Sequence, residues 1–258
     1  MNGPFYIGAT GLEAQQRALE VVANNIANIN TPGFKRSEVR FSELVGGQPG
    51  GSGADSIPGQ PGPATFGGVS SAAVQRNLAQ GDIKQSGNAL DLAIDGEGFV
   101  ELVGPAGQSV LWRGGTLAVN RDGLLTGAAG LALKDAITVP NGASALAIGR
   151  DGVVTATVAG ETKPAEIGRI ALVRPRDVSS LVPVEGGLFR VDGEDALVSA
   201  EAGEEGAGTF VQGALEQSNV QLTDEMVALM MMQRAYAANA QLVQAGDQLM
   251  AIANGLKR

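Results

Sequence analysis

The stretch from Thr223 to Arg258 constrains this chain more than any other. Read in steps of three and four, it aligns Ala228, Met231, Ala235, Ala238, Leu242, Ala245, Leu249, Ile252 and Leu256, and every one of these positions is apolar. A seam sustained over about four heptads is a coiled-coil pattern, which an ordinary core helix rarely holds. Alanine fills Ala228, Ala235, Ala238 and Ala245, so a partner helix can come close. Thr223 is a good N-cap, and Asp224 and Glu225 suit the positive end of the helix dipole. Asn254-Gly255 is a stop signal. One helix cannot bury its own seam, and the other end of the chain offers a partner.

There, Thr10-Gly11-Leu12-Glu13 reads as a capping box, although Phe5 extends the apolar register to an earlier start. Phe5, Leu12, Leu19, Val22, Ile26 and Ile29 fall at a/d spacing, with Gly8 and Gln15 as flaws. Glu13, Gln16, Arg17, Glu20 and Asn24 make the opposite face polar. The helix should stop near Asn28–Asn30, because Pro32 disfavours helix at Thr31 and Gly33 can turn left-handed. Asn24, Asn25, Asn28 and Asn30 crowd this end. Asparagine competes for backbone groups, so they are expected to bond a loop or a second subunit; a fraying polar helix end is the plainer alternative. The stripes from Phe5 to Ile29 and from Ala228 to Ile252 together form the expected assembly interface.

Gly46–Gly68 holds nine glycines and four prolines in 23 residues and lacks apolar periodicity, so it reads as a flexible segment. Beyond it the pattern turns short and alternating. Strands are expected at Val69–Arg76, Asp91–Ile94, Gly98–Val103, Val110–Leu111, Leu117–Val119, Leu131–Val139, Ala145–Ile148, Val153–Val158, Arg169–Val173 and Leu188–Val191. Asp95-Gly96, Asp122-Gly123, Asn141-Gly142, Asp151-Gly152 and Asp192-Gly193 supply turn signals. The expected fold is α+β: terminal helices pair as a coiled-coil stalk, with a mainly antiparallel β-domain between them. The expected segments are a stalk helix and turn (1–45), the flexible segment (46–68), a β-rich head (69–211) and a C-terminal stalk helix (212–258).

Composition narrows the chemistry. The 258 residues carry 27 acidic against 18 basic side chains, a net charge of -9, which argues against nucleic acid as a partner. The surplus is densest at Asp192, Glu194, Asp195, Glu201, Glu204 and Glu205, which reads as a solvated loop. The sequence has no cysteine and no histidine, which removes thiol and histidine catalysis and makes zinc or haem sites improbable. No catalytic residue, metal or cofactor is expected. Apolar runs fall short of the ~18 residues of a membrane span. Met1–Gln16 does not resemble a cleaved signal peptide.

Other candidate sites are weaker. Asp91, Asp95 and Glu97 could form a hydrolase-like carboxylate pair only if the strand ran straight through the Asp95-Gly96 turn. Met230-Met231-Met232 reads as core or interface packing, and Trp112, which could stack on Arg113, reads as a structural residue of the head. A secreted β-rich adhesin is a further alternative.

The segment Ala23–Arg36 (ANNIANINTPGFKR) closely resembles the N-terminal signature of the bacterial flagellar rod and hook family. Its motif residues here are Asn24, Asn25, Asn28, Thr31, Pro32, Gly33 and Phe34. Ser86–Leu102, Gln212–Val220 and Gln233–Gln241 are similar to further segments of that family, in the same order. The resemblance implies an axial structural protein of the basal body, exported without a cleaved signal. It also implies terminal helices in an inner coiled-coil tube and β-domains in an outer layer. Implied partners are copies of itself, adjacent rod and hook proteins, and surrounding ring proteins. Gly8–Leu44 and Ala145–Val158 look most like distal-rod members, whereas Ile170–Arg174 and Gly187–Val191 look like proximal-rod members. Leu111–Leu117 departs from the tyrosine-containing pattern common in the family.

Overall fold

A computed structural model describes residues 3–43, 69–158, 163–191, 193, 196–204 and 206–255. The fold is α+β, as the patterning predicts: an N-terminal helix, a mainly antiparallel β-domain and a C-terminal helix. The chain divides into two compact units, one built from 1–28, 36–77 and 220–258, the other from 29–35 and 78–219.

In the first unit, helix α1 (Gly3–Ala27) packs against helix α2 (Leu222–Gly255) and against a two-stranded ribbon, β1 (Ser37–Glu43) and β2 (Val69–Arg76). The ribbon is antiparallel from Ser37↔Arg76 to Glu43↔Val69, with a bulge at Arg40/Phe41. Val69–Arg76 is thus a strand, as expected, but it pairs with a segment just after α1 and belongs with the helices rather than the head. A two-stranded ribbon is marginal alone, and α1 provides the surface on which it packs. Thr10 does not cap α1, because the helix is already running from Gly3, with Pro4 in the first turn where a missing N–H costs nothing. The end after Ala27 is as expected: the Asn28 N–H donates to the Asn24 and Asn25 carbonyls, and Gly33 sits at φ 71°.

The second unit runs β3 (Ile83–Gln85), β4 (Asp91–Asp95), β5 (Phe99–Val103), β6 (Ser109–Trp112), β7 (Gly114–Thr116), β8 (Ala118–Val119), β9 (Leu125–Thr126), β10 (Ala143–Ile148), β11 (Val153–Val158), β12 (Ala165–Arg169), β13 (Leu172–Pro175), β14 (Val182–Val184), β15 (Leu188–Arg190), β16 (Leu197–Ala200), β17 (Thr209–Gln212) and β18 (Ala214–Glu216). Its largest sheet has the order β14-β15-β6-β5-β13-β16. Smaller sheets are β17-β4-β7, β10-β11-β12, β18-β3 and β8-β9. Successive residues of the central strands feed two cores. Val100, Trp112, Leu172 and Leu188 join the main cluster, while Phe99, Leu111, Val173 and Phe189 form a second one on the other face. Phe99 and Phe189 meet edge to face, with ring centroids 5.6 Å apart.

Three expectations need correcting here. Arg169–Val173 is not one strand, because β12 ends at Arg169 and β13 starts at Leu172 in another sheet. Leu131–Val139 is not a strand. The Ala136 N–H closes a turn onto the Leu133 carbonyl at 3.0 Å, Ala136 adopts φ 46°, and Leu133 and Ile137 reach the core from either side of that turn. Residues 212–221 do not join the C-terminal helix, because β17 and β18 pair with β4 and β3 inside the head. Phe210 on β17 is fully buried, and its ring lies against Gly152, where an added Cβ would approach to 3.0 Å. Phe210→Ala is expected to destabilise the head by about 3–5 kcal/mol. Urea unfolding of the full chain, followed by the fluorescence of its single tryptophan, Trp112, measures this.

Candidate assembly site

The asparagine-rich helix end is a loop clamp within the first unit. The Asn25 side chain is buried and pairs with the backbone of Ser37 in both directions: Nδ2 donates to the Ser37 carbonyl and Oδ1 accepts from its N–H, both at 2.9 Å. Asn25 Nδ2 also donates to Glu225 Oε2 at 3.2 Å. Glu225, in the first turn of α2, is fully buried, and its other oxygen accepts from Arg36 Nε. That hydrogen bond raises the Arg36 pKa above its ordinary value, against the opposing effect of burial. Arg36 also pairs with Glu38. Asn28 donates to the Asn24 carbonyl at 2.9 Å.

A second buried carboxylate organises the other unit. Glu216, at the end of β18, accepts from Lys35 Nζ at 2.5 Å and from the Gly81 N–H at 2.9 Å through Oε1. Its Oε2 accepts from Arg113 Nε at 3.2 Å. Lys35 is 1% exposed and donates also to the Ala79 carbonyl at 2.8 Å. Arg113 completes its fan by donating to the carbonyls of Gly98 and Gly96, each at 2.7 Å. Two cations thus share one dry carboxylate, and every group carries hydrogen bonds that replace lost water. Burial lowers the Lys35 pKa despite the raising influence of Glu216. Gly33 belongs to the same assembly, its N–H donating to the Glu216 carbonyl at 2.8 Å. Phe34 is half-buried, whereas Thr31 and Pro32 are exposed.

The helix pair differs from its expected register. The two helices run antiparallel, since Gly8 lies opposite Val243, Gly11 opposite Asn239 and Asn25 opposite Glu225. A Cβ on Gly8 would approach Val243 to 2.7 Å, and one on Gly11 would approach Asn239 to 3.0 Å. The buried stripe of α1 runs through Gly8, Ala14, Ala18, Val22 and Asn25, with Leu12, Leu19 and Ile26 half-buried beside it and Ile29 half-buried in the other unit. On α2, Ala228 and Ala235 are half-buried as the seam requires, but the remaining half-buried positions are Leu229, Met232, Asn239, Ala240, Val243 and Gly246. Met231, Ala238, Leu242, Ala245 and Ile252 are exposed, Leu242 by 67%. The physical reason is the pair of glycines on α1: they let the helices approach on small and polar residues, which rotates the longer apolar side chains outward. The side chains of Phe5 and Leu249, together with Leu256 and the segment 46–68, lie outside the described residues.

The weaker candidates separate. Asp91 accepts from Asn88 and Thr116, Asp95 from Gln80 and Glu97 from Arg174, so the three carboxylates do not converge. Arg113 lies over the Phe99 ring at 5.7 Å, while Trp112 sits in the main core instead of stacking on its neighbour. Met230 and Met231 are exposed, and Met232 turns toward the interior.

Three family descriptions match: "Flagella basal body rod protein" over residues 5–35, "Flagellar hook protein FlgE/F/G D1 domain" over 93–156 and "Flagellar basal body rod FlgEFG protein C-terminal" over 211–256. The chain is 32% identical to the flagellar basal-body rod protein FlgG of Caulobacter vibrioides, with 96% of this chain and 97% of that one aligned. It is 32% identical to FlgG of Bacillus subtilis over 98% of each chain. The chain belongs to the flagellar basal-body rod proteins. FlgF of Caulobacter vibrioides is also 32% identical, over 94% of this chain and 93% of its own. Among the described residues, no helix of this rod protein is long and apolar enough to cross a membrane.

The N- and C-terminal matches contain Asn25, Lys35, Glu216 and Glu225, and the carboxylates Glu216 and Glu225 and the cations Lys35, Arg36 and Arg113 carry the bonds. Glu216→Gln is expected to destabilise the head by about 3–5 kcal/mol, because it leaves two buried cations without a counter-charge. Lys35→Met should cost less, since Arg113 still pairs the carboxylate. The pH dependence follows from Lys35. Between its lowered pKa and 10.5 the unfolded chain binds more protons than the native one, so stability rises with pH in that window. Urea unfolding across alkaline pH should show this rise in the wild type relative to Lys35→Met. A constant difference between the two proteins contradicts it.

Proposed function

We propose that this rod protein is a non-catalytic structural subunit that assembles with copies of itself into a helical tube through its terminal helices. It transmits torque along the flagellar axis. Its neighbours are other rod and hook proteins, with ring proteins around it. A place in the distal rod is the favoured reading, supported by the near-full-length similarity to FlgG proteins. The FlgF similarity keeps a proximal place as the alternative. Absence of His and Cys supports a structural rather than a catalytic role.

The observation that carries self-assembly is the face of α2 turned away from α1. Within one chain the helices meet at Gly8 against Val243 and at Gly11 against Asn239, while Met231, Leu242 and Ile252 stay more than half exposed. An apolar line held at heptad spacing and left uncovered is a surface for a further helix. The expected interface residues Met231, Ala238, Leu242, Ala245, Leu249 and Ile252 then form the contact between subunits, with Leu12, Leu19 and Ile26 flanking it on α1.

Leu242→Asp tests this reading. It puts a carboxylate into a surface that dries only on assembly, at a cost of several kcal/mol per subunit. The isolated chain should melt as the wild type does, because Leu242 is already exposed. Recovery of intact basal bodies, and motility, should be lost. Gln241→Asp, exposed beside the seam, serves as the control. Normal assembly of Leu242→Asp, or equal failure of Gln241→Asp, overturns the proposed face.

A further inference from the structure

The head contains a cavity of about 530 Å³ whose wall is unusually well braced and whose lining is cationic. Arg113, Arg174 and Arg176 line it, and Glu97 is the one acidic side chain among its lining residues. Glu97 pairs with Arg174 at 3.1 Å. Arg176 is exposed and has no side-chain partner among the described residues. The Asp95–Gly98 turn forms one wall. Arg113 holds its Gly96 and Gly98 carbonyls, and Gln80 grips it from the other side, accepting from the Gly96 N–H at 3.0 Å and donating to Asp95 at 3.2 Å. Apolar contact is available from half-buried Leu78 and from Val178, which is 55% exposed.

With Arg113 engaged by Glu216 and Arg174 by Glu97, Arg176 is the lining arginine left to receive a carboxylate. Bracing matters because a preformed wall loses little freedom when something docks. The sign matters because the chain as a whole is at -9, so a local excess of arginine is a minority surface surrounded by its complement.

We infer that this cavity receives the acidic turn at Glu201–Glu204 of a second copy of the chain. That turn is closed by its own backbone: the Glu204 N–H donates to the Glu201 carbonyl at 3.1 Å, and the Ala207 N–H to the Glu204 carbonyl at 2.9 Å. Ala202 anchors it on the main core. Glu201 is engaged with Arg169, whereas the exposed Glu204 carboxylate has no partner among the described residues. An exposed anion on a backbone-closed turn of one copy and an unengaged arginine beside a preformed cavity on the next give a contact between heads. This inference rests on the self-assembling rod reading and adds to it a second, electrostatic contact between heads.

A charge swap in the full chain tests it, with self-association followed by sedimentation velocity. Arg176→Glu and Glu204→Arg should each weaken association about tenfold, and both should melt as the wild type does. The double variant carries a matched pair of reversed sign in every contact and should recover to within about threefold of wild type. Raising salt to about 1 M, where the Debye length is about 3 Å, should weaken wild type and double variant alike. Single variants that associate like wild type, or a double variant no better than the singles, overturn the head contact while leaving the rod reading intact. A wild-type chain that stays monomeric at every concentration overturns both.

Discussion

The head depends on a carboxylate that water cannot reach. Glu216 sits 2% exposed at the end of β18 with Lys35 on one oxygen and Arg113 close to the other. A lone ionised carboxylate at that depth would not survive folding; it would take up a proton or stay in water. Here each charged group is bound several times over. Arg113 also fixes the two glycine carbonyls that shape the Asp95–Gly98 turn. The Glu216 backbone carbonyl meanwhile receives the Gly33 N–H. The segment 29–35, remote in sequence from β18, is therefore tied to Glu216 by one side chain and one main-chain bond. Loss of the carboxylate would loosen the turn, the strand end and the docked segment together.

Glu225 repeats the device in the other unit with a different chemistry. There an amide takes the place of the second cation. Asn25 reads the Ser37 backbone in the manner of a strand neighbour and spends its remaining donor on the carboxylate. Asparagine is a poor helix former because its side chain seeks backbone groups, and this is the backbone it finds. The last turn of α1, the start of β1 and the first turn of α2 are thereby locked at one point. Small residues handle the rest of the helix pair. Gly8 and Gly11 admit Val243 and Asn239 at distances that a Cβ would forbid. Closeness is obtained at the expense of apolar contact, and the apolar side chains of α2 are left on the outside.

This explains which parts of the molecule were legible in the sequence. Period and turn chemistry are local, and they placed both helices, β4, β5, β10, β11 and most of the glycine turns; Gly96, Gly123, Gly142 and Gly152 all adopt positive φ. Pairing is not local. Nothing in Val69–Arg76 says that its partner is Ser37–Glu43 rather than a head strand, and β17 and β18 are too short for their alternation to stand out. The seam of α2 was read as one line, although two lines lie side by side on it. Heptad spacing favoured the line richer in leucine and methionine, while the helix met in the same chain selects for small size. The asparagines were visible as an anomaly with loop bonding as one expected outcome. Their charged partners were not, because a buried Glu and an exposed Glu look the same in a sequence.

Lys35 and Arg36 show how far such a site depends on residue type as well as charge. They are consecutive, yet each is ion-paired inside a different unit. Lys35 needs a compact ammonium: it enters a site with almost no solvent and bonds one carboxylate oxygen and one carbonyl. A guanidinium there would bring five donors into a space that satisfies fewer, and each unpaired one would be costly. Arg36 bridges Glu225 and Glu38 with separate nitrogens of one planar fork, which an ammonium on a single carbon stem cannot do with the same geometry. Exchanging the two cations would preserve net charge, local charge density and helix boundaries. It would nevertheless place the wrong hydrogen-bonding shape in both units. Inserting one residue between Gly33 and Lys35 would break their shared register on Glu216, and one between Arg36 and Ser37 would break theirs on Glu225 and Asn25. Spacing is therefore fixed within each unit by its own buried carboxylate, independently of any contact the helices make with another subunit.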